Sequence, residues 1–118
     1  MKFVGKILLA IIANAFALLL AKNIVSGFVL LDNFFVIIEV AAVFTAINLF
    51  LKPILKLILG PIIILTLGLG LIVVNAALLK LLDFLSKDLT IENIIALLYA
   101  TLIISAVNVI VHLATRSK

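Results

Sequence analysis

The sequence predicts an all-α fold: an integral membrane four-helix transmembrane bundle built of two parallel helical-hairpin repeats. Three observations carry that expectation. Hydrophobic residues make up 68% of the 118 residues and charged residues only 12%, whereas soluble domains run near half apolar and a quarter charged. The apolar residues gather into four runs, and about 20 helical residues cross the roughly 30 Å hydrocarbon core of a bilayer. The basic residues sit at the edges of those runs, as membrane flanks do. The whole chain is expected to form a single transmembrane domain. Hairpin repeat 1 is placed at about 3–52, an interfacial connection at about 53–60 and hairpin repeat 2 at about 61–114.

The first run, Ile7 to Ala21, is short for a span. Lys6 and Lys22 can carry their ammonium groups to the two interfaces, so the helix is expected to extend from Phe3 to about Ile24. A basic start before an apolar run also imitates a signal peptide. No small-x-small cleavage site follows the run, and Lys22-Asn23 comes next, so an uncleaved span is expected. The second span covers about Phe34 to Leu51 and is interrupted only by Glu39. Proline suits the first turn of a helix, where its missing N–H is not needed. Pro53 to Leu59 is therefore read as a short interfacial turn and Pro61 as the start of the third span. Leu57 to Leu79 contains no charge, and neither does Asn93 to Thr115 when His112 is neutral. Lipid gives the backbone no hydrogen-bond partners, so each run must be a helix or a strand of a closed barrel. Barrel strands alternate polar and apolar residues. These runs are apolar on every face, which selects helix.

Orientation follows from the cations. One side holds Lys2, Lys6, Lys52, Lys56, Arg116 and Lys118 with no acid. The other holds Lys22 and Lys87 against Asp32, Asp83, Asp88 and Glu92. The basic side is expected in the cytoplasm, with both termini there, in a multi-pass membrane protein. The net charge of +4 does not signal nucleic acid, because the cations are not interleaved with aromatics on a polar surface. With no cysteine in the chain, neither a disulfide framework nor a thiolate metal site can form.

The chain repeats itself. Asp32-Asn33 answers Glu92-Asn93, and Thr45-Ala46-Ile47-Asn48 answers Ser105-Ala106-Val107-Asn108, both at an offset of 60. Asn14-Ala15 answers Asn75-Ala76 at an offset of 61. Self-similarity of this kind marks a structural repeat. Because both hairpins start and end on the same side, their pseudo-two-fold axis should run along the membrane normal.

Asn48-Leu-Phe-Leu-Lys-Pro-Ile-Leu55, Pro61-Ile-Ile-Ile-Leu-Thr-Leu-Gly68 and Val74-Asn75-Ala76, with Ser26-Gly27-Phe28 after the first span, resemble the bacterial phage holin family of four-span membrane proteins, holin superfamily IV. The resemblance covers nearly the whole chain. Lys87-Asp88-Leu89 departs from it where a Gly-Phe turn often recurs, and so does Gly70, where a bulkier residue is common. What the resemblance implies is holin activity: oligomers that open lesions in the inner membrane and let an endolysin out.

Seven polar residues within the spans make up the candidate site: Asn14, Glu39, Asn48, Asn75, Lys80, Tyr99 and Asn108. An unpaired amide in hydrocarbon is costly, so each asparagine should face the bundle or another protomer, either as interhelical glue or as the lining of a polar path. Charge at membrane depth is a functional candidate by default. Glu39 is read as pairing with Lys80 or bonding Tyr99, its repeat mate; the competing reading has Glu39 reaching outward and Lys80 paired with Asp83 one turn on. His112 stands alone, whereas metal sites need three or four ligands. No catalytic, metal or cofactor site is expected. Gly68 and Gly70, with Ala41, Ala42 and Ala46, are read as points of close helix approach. The expected partners are the lipid bilayer and further copies of the chain, because four helices this apolar cannot hide all their surface in one bundle. No nucleic acid or small-molecule ligand is identifiable. The functional expectation is a non-enzymatic, self-associating, holin-like protein. The alternatives are an oligomeric channel or transporter subunit, or a membrane structural or accessory protein.

The absence of native cysteine allows the topology to be tested directly. Single cysteines at residues 6 and 113 should resist a membrane-impermeant maleimide in intact cells, while one at residue 88 should react. Opposite behaviour at the two ends would refute an even number of crossings.

Overall fold

The computed structural model describes residues 2–66 and 69–116. Four helices and two short strands follow in the order α1 (Lys2–Ile24), β1 (Phe28–Leu30), α2 (Phe34–Leu65), α3 (Gly70–Leu85), β2 (Leu89–Ile91) and α4 (Ile94–Arg116). The helices form a ring in which α1 neighbours α2 and α4, and α3 neighbours the same two. Leu18, Val40, Val74, Leu78, Leu79 and Leu82 are the fully buried apolar side chains at its centre. Their surroundings are small: Ala13, Ala17 and Ala21 on α1 and Ala96 and Ala100 on α4 are buried at four-residue spacing. Small residues let helix backbones approach closely where lipid supplies no hydrophobic drive between helices. On α2, Ala41 is fully buried, Ala42 is half-buried and Ala46 is exposed.

Three helices, over Phe3–Ile24, Phe34–Leu65 and Ile94–Ala114, are long and apolar enough to cross a bilayer. Only 28%, 33% and 28% of the residues in their most apolar windows are buried within the protein. Phe16, Phe50, Leu57, Val73 and Ile110 are among the large side chains left outside. A soluble monomer rarely exposes continuous apolar surface on this scale. Hydrocarbon is the solvent that accepts it, and the protein is a membrane protein.

Two expectations are corrected by the helix boundaries. Pro61 does not begin the third span. Both Pro53 and Pro61 lie inside α2, which runs for 32 residues, about 48 Å at 1.5 Å per residue. Each proline withdraws a donor from the helix, and mid-helix proline is tolerated in membranes where neighbouring groups satisfy the freed carbonyls. The residues expected to form a separate interfacial turn are the continuation of α2. In consequence α3 is short, with 16 residues, about 24 Å, against the roughly 30 Å of a bilayer core. Thr66 makes the break between the two helices. Its hydroxyl donates to the Ile62 carbonyl at 2.9 Å and accepts from the Gly70 amide at 2.9 Å, so one side chain closes α2 and opens α3. Gly68 lies outside the described residues, as does Lys118.

The connections at the other end hold a feature absent from the all-α expectation. β1 and β2 pair antiparallel, with Phe28 opposite Ile91, Val29 opposite Thr90 and Leu30 opposite Leu89. Two bonds extend the ladder, from Leu31 N to Asp88 O at 2.9 Å and from Glu92 N to Gly27 O at 2.8 Å. Phe28, Leu30, Leu89 and Ile91 are buried against the helices while Val29 and Thr90 point out. The helices that follow each strand are capped alike. The Asn33 Oδ1 accepts from the Phe35 and Val36 amides at 2.9 and 3.3 Å, and the Asn93 Oδ1 accepts from the Ala96 amide at 2.8 Å. Asparagine is a preferred N-cap for this reason.

Gly70 has the closest surroundings of the described glycines. A Cβ there would stand 3.0 Å from the Ile63 Cα and 3.0 Å from its Cγ1, whereas one at Gly60 would meet nothing within 4 Å. Gly70→Ala should destabilise the protein by about 1–3 kcal/mol, as overpacking does, while Gly60→Ala should be neutral or stabilising by up to about 1 kcal/mol. Unfolding in mixed detergent micelles measures both.

Candidate functional site

The buried polar chemistry lies on the inward faces of the helices. On α1, Asn14 is 3% exposed, and its Nδ2 donates to the Thr45 Oγ1 on α2 at 2.8 Å. The Thr45 hydroxyl in turn donates to the Ala41 carbonyl one turn back, at 2.7 Å. The Asn14 Oδ1 is buried with no partner. On α3, the Asn75 Nδ2 donates to the Ser105 Oγ on α4 at 3.1 Å. These two bonds join residues 31 and 30 apart, one within each helical hairpin. Thr45 and Ser105 hold matching places in Thr45-Ala46-Ile47-Asn48 and Ser105-Ala106-Val107-Asn108, yet the sequence reading does not pair them with Asn14 and Asn75. The signal that could have found them is the near-constant spacing from asparagine to hydroxyl.

Asn48, Asn75 and Asn108 come together. With Lys52, Thr101 and Ser105 they line a narrow cleft between α2, α3 and α4, floored by Phe44, Leu79 and Ile104. The Asn-Leu-Phe-Leu-Lys-Pro segment and the Val-Asn-Ala segment, far apart in sequence, thus meet at one place. The Thr101 hydroxyl is turned inward on its own helix, donating to the Leu97 carbonyl at 2.6 Å. Asn14, the fourth amide, sits apart in the α1–α2 seam.

The charged candidates are not gathered. Lys80 pairs with Asp83 at 3.3 Å, three residues along the same helix, and not with Glu39. Nor does Glu39 bond Tyr99: both side chains are exposed, on helices that are not ring neighbours. The expected intramembrane pair is therefore corrected to a local i,i+3 ion pair, with the carboxylate facing outward. Tyr99 instead borders an open groove with Ile24, Val25, Ser26, Asn93, Ile95 and Ile103. At the ribbon end, Lys22 lies 3.5 Å from Asp32. That aspartate is almost fully exposed, and such ion pairs contribute little.

These features define a small helical membrane protein in which two amide–hydroxyl bonds join neighbouring helices. Residues 5–110 match the family described as mycobacterial 4 TMS phage holin, superfamily IV, and the chain belongs to that family. Comparison with curated proteins and with solved structures gave no match.

The Asn14–Thr45 bond can be measured by a double-mutant cycle. Thr45→Val strands a buried amide and should destabilise by about 1–3 kcal/mol. Asn14→Leu combined with Thr45→Val should fall short of the sum of the single effects by about 0.6–1.7 kcal/mol, the range of such bonds in membranes. Ser105→Ala, at a half-buried pair, should have the smaller effect. Additive single effects at Asn14 and Thr45 would mean the bond contributes nothing.

Proposed function

We propose that this chain is a non-enzymatic inner-membrane protein that self-associates and permeabilises the membrane, a reading that its membership of a phage holin family supports. The path opens between protomers rather than through one. The observation that carries this reading is the contrast between inside and outside. The centre of the ring is filled by Leu18, Leu78, Leu79 and Leu82, each no more than 1% exposed, and the ribbon lies across one end. Such a centre leaves no room for water. The outside, by contrast, is broad, apolar and interrupted by Glu39, a carboxylate that hydrocarbon covers poorly. A neighbouring protomer or a water-filled gap between protomers accommodates it better.

The two-hairpin reading of the chain is supported by three equivalences. The Asn14–Thr45 and Asn75–Ser105 bonds join corresponding residues. Asn33 and Asn93 cap corresponding helices. The strand register is symmetric about the Val29–Thr90 pair, with Leu31 N to Asp88 O answered by Glu92 N to Gly27 O. On this reading α3 makes a fourth, short crossing, which tilt or local bilayer thinning accommodates. Residues 53–65 of α2 lie along the cytoplasmic interface, and both termini face the cytoplasm.

Graded expression in a bacterial host separates the functional readings. Release of a large cytoplasmic enzyme should begin abruptly at a threshold level of the protein, and Glu39→Leu should move that threshold. Uptake of one selected ion or solute, abolished by Glu39→Gln and without enzyme release, would favour a channel or transporter subunit instead.

A further inference from the structure

We infer that the mouth of the cleft between α2, α3 and α4 is a binding site for a phosphate-type anion, the headgroup phosphate of an anionic phospholipid being the source that its position favours. The inference stands apart from any permeabilising activity.

The argument begins with Lys52. It is half-buried beside Asn48, Asn75, Thr101, Ser105 and Asn108, and no acid lines the cleft. All five acids of the chain, at residues 32, 39, 83, 88 and 92, are elsewhere. Asp32, Asp88 and Glu92 flank the ribbon strands, Asp83 is in the last turn of α3 beside Lys80, and Glu39 faces outward. The nearest charge in sequence on the same helix is Lys56, a second cation. A partly desolvated cation without a counter-ion is unfavourable, and none of the described residues supplies one to Lys52.

The cleft itself is narrow, about 10 Å³, room for a single water, so the anion rests at its mouth, against the half-buried polar side chains that line it. Asn48 and Asn108 have no hydrogen-bond partner among the described residues, so their amide N–H groups are free to donate. Ser105 accepts from Asn75 and keeps its own O–H to give. Around one ammonium there are thus at least three further donors. Charge-assisted bonds from such donors to phosphate oxygens are the strong kind.

Position identifies the favoured source. Lys52 lies eighteen residues beyond Phe34 on one helix, about 27 Å at 1.5 Å per residue. With Phe34 at one interface, Lys52 reaches the other, close to the roughly 30 Å that separates the two headgroup layers. Phosphates are concentrated in that layer, and a free anion would have to be drawn from solution.

The test uses the full chain in a neutral detergent. Short-chain phosphatidylglycerol and inorganic phosphate are titrated separately at constant ionic strength, with thermal unfolding and native mass spectrometry as readouts. Phosphatidylglycerol should raise the unfolding temperature of the wild type and remain bound in the gas phase. Lys52→Gln and Asn108→Leu should each weaken binding by about tenfold, the order expected for losing a hydrogen bond to a charged group. Lys56→Gln, at an exposed position one turn on, should change it by less than about twofold, as surface charges contribute little. Lys52→Arg should retain most of the affinity. Without ligand, Lys52→Gln should unfold no earlier than the wild type, because it removes an unpaired cation. That control distinguishes a lost site from a damaged fold. Saturation by phosphatidylglycerol alone identifies lipid as the source, and equal saturation by inorganic phosphate identifies a free anion. Stabilisation by neither, or equal weakening by Lys56→Gln and Lys52→Gln, would overturn the inference.

Discussion

Hydrocarbon offers no hydrogen bonds, and the structure follows from that constraint. Every backbone donor and acceptor that enters the membrane must be satisfied by the chain itself, so the spans are helices. The same rule governs the polar side chains. Thr45, Thr66 and Thr101 each donate to the carbonyl four residues earlier, which satisfies the hydroxyl proton within its own helix. The amides of Asn14 and Asn75 donate to hydroxyls on the neighbouring helix. Such bonds supply specificity where the apolar effect cannot, because lipid tails are as apolar as leucine.

The two ends of the bundle solve different problems. At the ribbon end the chain turns back within a few residues, and its connecting backbone has little room. Pairing β1 with β2 satisfies both connections at once and buries Phe28, Leu30, Leu89 and Ile91 over the core. At the opposite end α2 overshoots the width of a bilayer, α3 begins beside it at Gly70, and the space between them and α4 is polar. The protein is thus sealed and acidic at one end, and open and basic at the other.

Three spans were legible because composition and length alone require them. α1 and α4 fall close to the expected limits, and α2 begins where Asn33 caps it. The continuation of α2 through two prolines was not legible. Proline in water ends a helix far more often than it sits inside one, and the local sequence does not reveal how neighbours will satisfy the freed carbonyls. The ribbon was hidden because three-residue strands carry almost no pattern and their partners lie about sixty residues apart. Among the candidate residues, the inward placement of the amides follows from desolvation alone. The partner of Lys80 did not, because Asp83 and Glu39 both satisfied the chemistry and only the ring order of the helices separates them.

The claim beneath all of this is that lipid, rather than water or protein, covers the outer faces of α1, α3 and α4. Spin labels placed singly at Ile12, Val73 and Val109 in a reconstituted bilayer test it most directly. Each should collide freely with dissolved oxygen and rarely with a water-soluble nickel complex, while a label at Thr90 on the ribbon should show the reverse. High nickel accessibility at all three helix positions would contradict the account.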